Sequence, residues 1–210
     1  MTQQKTRQKK GGKEKKTNKK INVQKLLNSG RLIKTKDIPK TVKALKDAGL
    51  KIVLTQGVWD LIHIGHARYM QKAKKLGDVL IVAVDTDEVV KFRKGPNRPI
   101  VPQSERVKMV SHLRSVDLIV LKESKTDNGK LIRMIKPEIF VVSQTTKSTK
   151  PGKDFIARVK KKFSKYCGDI IGLKPQATTS TTARIRLLTI KGAKELANEL
   201  HKVIDKFLKN

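Results

Sequence analysis

Three features of the chain predict an α/β fold: a doubly wound parallel sheet of about five strands, a C-terminal helix and a disordered basic N-terminal tail. Short apolar runs alternate with stretches of helical spacing from Ile52 onward. The runs are continuous, not alternating with polar residues, as strands buried on both faces of a parallel sheet must be. The turn that closes the first run, Thr55 to His66, carries two glycines and two histidines, and ligands of such folds sit at the carboxyl ends of the strands.

Residues 1–20 contain no apolar residue after Met1 and break at Gly11-Gly12, so they cannot bury enough surface to fold alone. Residues 21–50 read as a helical lead-in. A short helix around Val23 to Leu27 stops at Asn28-Ser29-Gly30, and a second opens near Pro39 and places Val42, Leu45 and Ala48 on one face until Gly49. Residues 51–210 read as one folded domain. Its strands are expected at Ile52–Leu54, Val79–Val84, Leu118–Leu121, Ile139–Val142 and Ile170–Leu173. The helices between them are expected at Ala67–Leu76, Glu105–Arg114, Lys130–Lys136 and Asp154–Phe163. Right-handed crossovers then make the sheet Rossmann-like. A last helix, from about Ala193, aligns Leu196, Leu200, Val203, Ile204 and Phe207 for packing on the body or on a second subunit.

Composition narrows the function classes. No apolar run approaches the roughly 20 residues that span a bilayer, and the basic N-terminus has no apolar segment behind it, which argues against a secretory signal. Cys167 is the single cysteine, so no intrachain disulfide forms, and a reducing cytoplasm is the expected setting. The formal charge is +31, from 49 Lys and Arg against 18 Asp and Glu. Residues 1–20 carry +8 of it, so the excess is global. Such a field attracts nucleotides and nucleic acids alike. Lysine outnumbers arginine by 38 to 11, whereas surfaces that read bases favour arginine forks.

The turn itself has a definite chemistry. His63 and His66 lie three residues apart at a helix start, on one face, with Gly65 between them to admit a close ligand. The first turn of a helix has unpaired N–H groups and partial positive charge, which suits a phosphate. His112 and His201 read as ordinary helical residues. There is no Gly-x-Gly-x-x-Gly and no Gly-Lys-Ser/Thr element, so neither a dinucleotide site nor a P-loop is supported.

The succession Gly57-Val58-Trp59-Asp60, His63-Ile64-Gly65-His66, Ala73-Lys74-Lys75-Leu76-Gly77-Asp78, Val82-Ala83-Val84-Asp85-Thr86-Asp87-Glu88, Arg98-Pro99-Ile100-Val101-Pro102, Glu105-Arg106, Val116-Asp117 and Ser180-Thr181-Thr182 resembles the cytidylyltransferase-like nucleotidyltransferase superfamily over about Lys51 to Leu188. The resemblance implies transfer of a nucleotidyl group from a nucleoside triphosphate, ATP or CTP, to a small phosphorylated or hydroxylated acceptor with release of pyrophosphate. It makes His63 and His66 catalytic, as hydrogen-bond donors to the phosphates. Thr55, Gly57, Val58, Trp59 and Gly65 then form the nucleotide- and phosphate-binding turn, and Ser180, Thr181 and Thr182 hold the leaving pyrophosphate at a second helix start. Arg93 and Lys94 are triphosphate-gripping candidates in a basic loop, Lys91 to Arg98, whose spacing singles out no one residue; Asp60 and Arg98 fall on the acceptor side. Mg²⁺ is expected with the triphosphate, held by phosphate oxygens and water, with no protein metal site. Dimers are common in the family, so a homodimer is a further expectation.

The chain departs from the family at Trp59, where Phe is usual. Ser143-Gln144-Thr145-Thr146 replaces a Lys-Gly-Gly-Asp-like turn, and Pro175-Gln176 replaces an Arg-Thr pair, with Lys174, Arg184 or Arg186 as alternative sources of charge. His-Ile-Gly-His also occurs in class I aminoacyl-tRNA synthetases, but Lys108 to Ser111 falls in an amphipathic helix and 210 residues are too few for such an enzyme. The segment around Arg98–Pro102 most resembles the heptose-phosphate adenylyltransferase branch. Glycerol-3-phosphate cytidylyltransferase-like and FAD synthetase-like activities are the alternatives. A nucleic-acid-binding protein on the same fold is the rival from another class, although aromatics are only 4% of residues and weak nonspecific binding through the Lys-rich tail would suffice for the charge.

Overall fold

The computed structural model describes Leu27 and residues 31–144, 154–176 and 181–208. The expected tail, most of the Val23–Leu27 helix, Thr145, Thr146 and Ser180 lie outside the described residues. The elements run β1 (Arg31–Ile33), a 3-10 turn (Thr35–Asp37), α1 (Ile38–Asp47), β2 (Ile52–Gly57), α2 (Ile64–Lys74), β3 (Val79–Asp85), α3 (Asp87–Lys94) and α4 (Gln103–Ser111). They continue with β4 (Leu118–Lys122), α5 (Lys130–Ile135), β5 (Ile139–Ser143), α6 (Asp154–Phe163), β6 (Asp169–Leu173) and α7 (Thr181–Leu208). Six strands form one sheet in the order β1-β4-β3-β2-β5-β6, and every pairing is parallel.

The sheet is wound on both faces because successive side chains of a strand point to opposite sides. Ile52 and Leu54 of β2 join Val79, Ile81 and Ala83 of β3 in one core with α1, α5 and α6. Val53 joins Leu80, Val82 and Val84 in the other, against Tyr69, Met70 and Ala73 of α2 and Val110 of α4. All seven residues of β3 are buried, which is why the central strands read as unbroken apolar runs.

The sheet has six strands, not about five. β1 escapes the sequence pattern because Arg31-Leu32-Ile33, between Gly30 and Lys34, makes no apolar run. Its extended form comes from pairing with Leu118–Val120 at the sheet edge, and residues 21–50 are therefore not purely helical. Helix α2 begins at Ile64, three residues before the expected Ala67, and α4 ends at Ser111, which leaves His112 just beyond it. Lys91, Arg93 and Lys94 are not in a loop: they form the last turn of α3, which Gly95 ends at a φ of 94°. α7 starts at Thr181 instead of near Ala193, and residues 187–202 are exposed, so this stretch does not pack on the body. No helix among the described residues is long and apolar enough to cross a membrane. Cys167 is half-buried against the first core and its Sγ–H donates to the Phe163 carbonyl; burial, then Asp169, pushes the thiol pKa up.

Candidate active site

Strand order reverses beside β2: the chain winds outward through β3 and β4, then returns to β5 on the other side. The crevice at such a reversal is where open α/β sheets bind ligands, and the β2–α2 turn stands there. Gly57, the last residue of β2, lies under the Trp59 indole. A Cβ at Gly57 would sit 2.9 Å from two ring carbons, so only glycine lets the tryptophan fold back. Trp59 and Leu61 both adopt positive φ, 56° and 45°. Non-glycine residues rarely do so, and such strain collects at functional turns. Buried Trp59 donates from Nε1 to the Ala83 carbonyl (3.0 Å), and its ring meets His66 edge-on at 5.6 Å and Tyr69 at 5.9 Å.

Thr55 is also buried. Its Oγ1 donates to the Val141 carbonyl (3.1 Å), which leaves it to accept from the Tyr69 hydroxyl (2.9 Å). Thr55 and Trp59 thus support the turn from beneath, through Tyr69 and His66, while Val58 contributes its carbonyl to Arg106.

The two histidines cap α2 reciprocally. His63 Nδ1 accepts from the Gly65 N–H (3.1 Å), and His66 Nδ1 accepts from the His63 N–H (3.4 Å), a capping box built from imidazoles. A neutral ring that accepts at Nδ1 carries its proton on Nε2. The rings lie 4.1 Å apart, tilted by 36°. Burial chiefly, then positive charge on His63 and Lys94, lowers the His66 pKa to about 4, with Asp60 acting in the opposite sense. His66 is therefore a neutral N–H donor at pH 7. Because its folded pKa is below the ordinary 6.5, its contribution to stability is full above pH 6.5 and fades as pH falls towards 4. In NMR titrations, the imidazole of the nucleotide-free protein is expected to turn near pH 4 and to shift upward by about a unit or more when ATP supplies a nearby anion. A midpoint that ATP leaves unmoved would separate His66 from the phosphates.

Asp60 and Arg98, both expected on the acceptor side, are paired with each other. Asp60 Oδ2 accepts from Arg98 Nε (3.1 Å) and Nη2 (2.8 Å) and from the Ile100 N–H (3.0 Å), while Oδ1 accepts from the Val101 N–H (3.0 Å). Burial would raise the Asp60 carboxyl, but the backbone donors and Arg98 together outweigh it and hold the pKa below its ordinary value. The pair fastens the Arg98–Val101 segment beside the motif turn. Lys94 faces the same ground. Burial first, then the charges of Arg98 and Arg93, lowers its pKa, with Asp85 and Asp60 opposing. Arg93 Nη1 lies 2.9 Å from Asp85 Oδ2. His63, His66, Asp60, Arg93, Lys94 and Arg98 are thus gathered at the carboxyl ends of β2 and β3. Thr181 and Thr182 open α7, which follows β6 from the same end of the sheet.

Two groups at the site were given no role by the sequence, although Glu105-Arg106 is one of the motifs that carry the resemblance. Arg106 is fully buried and ties four segments together. Its Nε donates to the Val101 carbonyl (2.9 Å) and Nη1 to the Val58 carbonyl; Nη2 donates to the Asp85 carbonyl (2.9 Å) and Asp87 Oδ1 (2.7 Å). Beside that motif, the available signal was an arginine four residues before Val110, on the buried face of its helix. The other is Lys122, buried at the end of β4 against Asp85.

The pattern of the cytidylyltransferase-like family matches residues 54–188. The bifunctional protein HldE of a Nitratiruptor species is 48% identical over 99 residues, 47% of this chain and 21% of that protein. HldE of Aliarcobacter butzleri is 42% identical over 115 residues, 54% and 24% of the two chains. The chain thus spans less than a quarter of the length of these relatives. Among solved structures, the lipopolysaccharide core biosynthesis protein from Thermoplasma volcanium is similar at a TM-score of 0.51 and 29% identity, covering 60% of this chain and 98% of that one. With the family pattern covering more than half its residues and the histidine turn at the reversal of strand order, this chain belongs to the cytidylyltransferase-like family of nucleotidyltransferases.

Proposed function

We propose that the protein transfers a nucleoside monophosphate, AMP by preference, from a nucleoside triphosphate to a small phosphorylated acceptor such as a sugar phosphate. One observation carries the proposal: two imidazoles, each held at Nδ1 by a backbone N–H, present their Nε2 protons at the start of α2. An acceptor phosphate oxygen attacks the α-phosphorus, the bond from that phosphorus to the bridging oxygen breaks, and pyrophosphate leaves. The acceptor is already an anion, so no general base is required. Charge on the five-coordinate α-phosphate is met by the Nε2–H donors of His63 and His66, the α2 N-terminus and Lys94. Ser180, Thr181 and Thr182 take the departing pyrophosphate in this scheme. The similarity to HldE proteins and to a lipopolysaccharide core biosynthesis protein supports a sugar phosphate over a polyol or a flavin.

Among the described residues no three His, Cys, Asp or Glu side chains gather as a metal site, and Asp60 and Asp85 are committed to arginine and lysine. In this scheme Mg²⁺ enters with the substrate, carried by phosphate oxygens and water. Excess chelator is expected to lower turnover at least roughly 100-fold and to leave the melting temperature of the nucleotide-free protein unchanged. A chelator-induced drop in that temperature would instead mean a resident structural ion. A cytoplasmic setting, residues 51–210 as the catalytic unit and an accessory role for residues 1–20 belong to the same proposal.

The deciding experiment is a pyrophosphate-release screen that crosses ATP and CTP with sugar, polyol and flavin phosphates in the presence of Mg²⁺. Turnover is expected with ATP and a sugar phosphate. CTP with glycerol 3-phosphate as the best pair would move the assignment to the cytidylyltransferase branch, and a folded protein that turns over no pair would end it.

A further inference from the structure

Asp85, at the end of β3, carries two cations on one carboxylate. Arg93 Nη1 lies 2.9 Å from Oδ2, and Lys122 Nζ lies 3.2 Å from Oδ1. The two cations differ in their freedom. Asp85 and Lys122 face each other in register across β3 and β4, and their side chains are 2% and 4% exposed. The Asp85 carbonyl is further held by Arg106, and the Lys122 carbonyl accepts from the Thr86 N–H. Arg93 stands on the last turn of α3, just before Gly95, with its side chain 39% exposed. Of the two cations, Arg93 alone has room to move.

A carboxylate this deeply buried cannot be left without a counter-charge, because removing the partner of a buried ion strands that ion away from water. A lone Asp85–Arg93 pair would therefore hold the arginine in place. The second cation changes that balance. We propose that Asp85 and Lys122 form a latch for Arg93: Asp85 holds the guanidinium in the nucleotide-free enzyme, and Lys122 keeps Asp85 paired when Arg93 swings onto the β- and γ-phosphates of the triphosphate. The proposal rests on the nucleotidyl-transfer reading of the site. Lys122 acts here through Arg93 and is a positioning residue. The Lys122 pKa lies below its ordinary value: burial lowers it most, Asp85 opposes, and the charge of Arg93 lowers it further. The destination of Arg93 is chemically favoured. A guanidinium fork matches phosphate oxygens, and Lys94 and Arg98 already make the neighbouring field positive.

The test is a double-mutant cycle on the full-length protein, read by calorimetric binding of ATP, inorganic pyrophosphate and AMP, with thermal melts to verify folding. Lys122→Met is expected to weaken ATP and pyrophosphate binding at least about tenfold, because Arg93 is then the sole partner of Asp85. AMP, which lacks the β- and γ-phosphates, should bind unchanged. In the Asp85→Asn background the same lysine substitution should change ATP affinity less than about twofold, since there is no carboxylate left to latch. An equal penalty in both backgrounds would overturn the latch, because Lys122 would then contribute only its charge to the general field. An unchanged affinity in Lys122→Met, or an AMP affinity that falls in parallel, overturns it too. Should the wild type bind neither ATP, CTP nor pyrophosphate, the nucleotidyl-transfer reading fails first and the latch with it.

Discussion

His66→Ala is expected to lower kcat at least roughly 100-fold while KM for the triphosphate changes far less. Losing one donor aimed at developing charge costs about that much, and a donor that binds more strongly in the transition state appears in kcat and kcat/KM together. The physical basis is the tautomer. His66 is neutral near pH 7, and its Nδ1 is occupied by the His63 N–H, so its proton is on Nε2. Alanine also removes that acceptor and loosens the start of α2. Far-UV circular dichroism and a melting curve on the same preparation separate the two effects, since a capping loss amounts to about 1 kcal/mol of stability and reaches nothing like 100-fold in rate. A variant that turns over at the wild-type rate would place the chemistry elsewhere.

Arg106→Leu is expected to destabilise the fold by about 3–5 kcal/mol, chiefly from three carbonyls left without this donor at about 1–3 kcal/mol each, measured as a lower urea midpoint at constant slope. The guanidinium joins the motif turn at Val58, the loop at Val101, the end of β3 and the start of α3. Without it three carbonyls lose a donor, and Asp87, still partly solvated at 30% exposure, loses its counter-charge. Arg106→Lys should recover little, because one ammonium cannot span the separate directions served by Nε, Nη1 and Nη2. A lysine variant as stable as wild type would show that charge alone matters at this position. Because Val58 borders the histidine turn proposed to bind the triphosphate, Arg106→Leu should also raise KM for the triphosphate in whatever fraction remains folded.

Much of this molecule is legible in the chain. The central strands are visible because burial on both faces demands continuous apolar runs, and the β2–α2 turn is visible because glycine and histidine at that spacing have few other uses. β1 is not visible. Three residues, the first an arginine, have no intrinsic claim to be a strand, and pairing with the edge of β4 makes them one. The basic stretch from Lys91 to Lys94 reads as a loop because charge resembles solvent exposure, yet it continues the helix capped by Thr86. Asp60 and Arg98 are both polar residues beside a phosphate motif and equally suited to a ligand. Their mutual pairing depends on a separation of 38 residues in the chain.

The fold class, the family and the place of the candidate site at the end of β2 were readable from the residues, since these rest on local pattern: hydrophobic runs, turn residues and an ordered series of short motifs. Tertiary structure alone decided which charges face one another and which are spent. It committed Asp60 to Arg98, set Arg106 across four segments, placed Lys122 behind Asp85, and half-buried His66 beside cations so that it stays neutral. Those outcomes depend on distance and on exclusion of water, and neither is written in the order of residues along a chain.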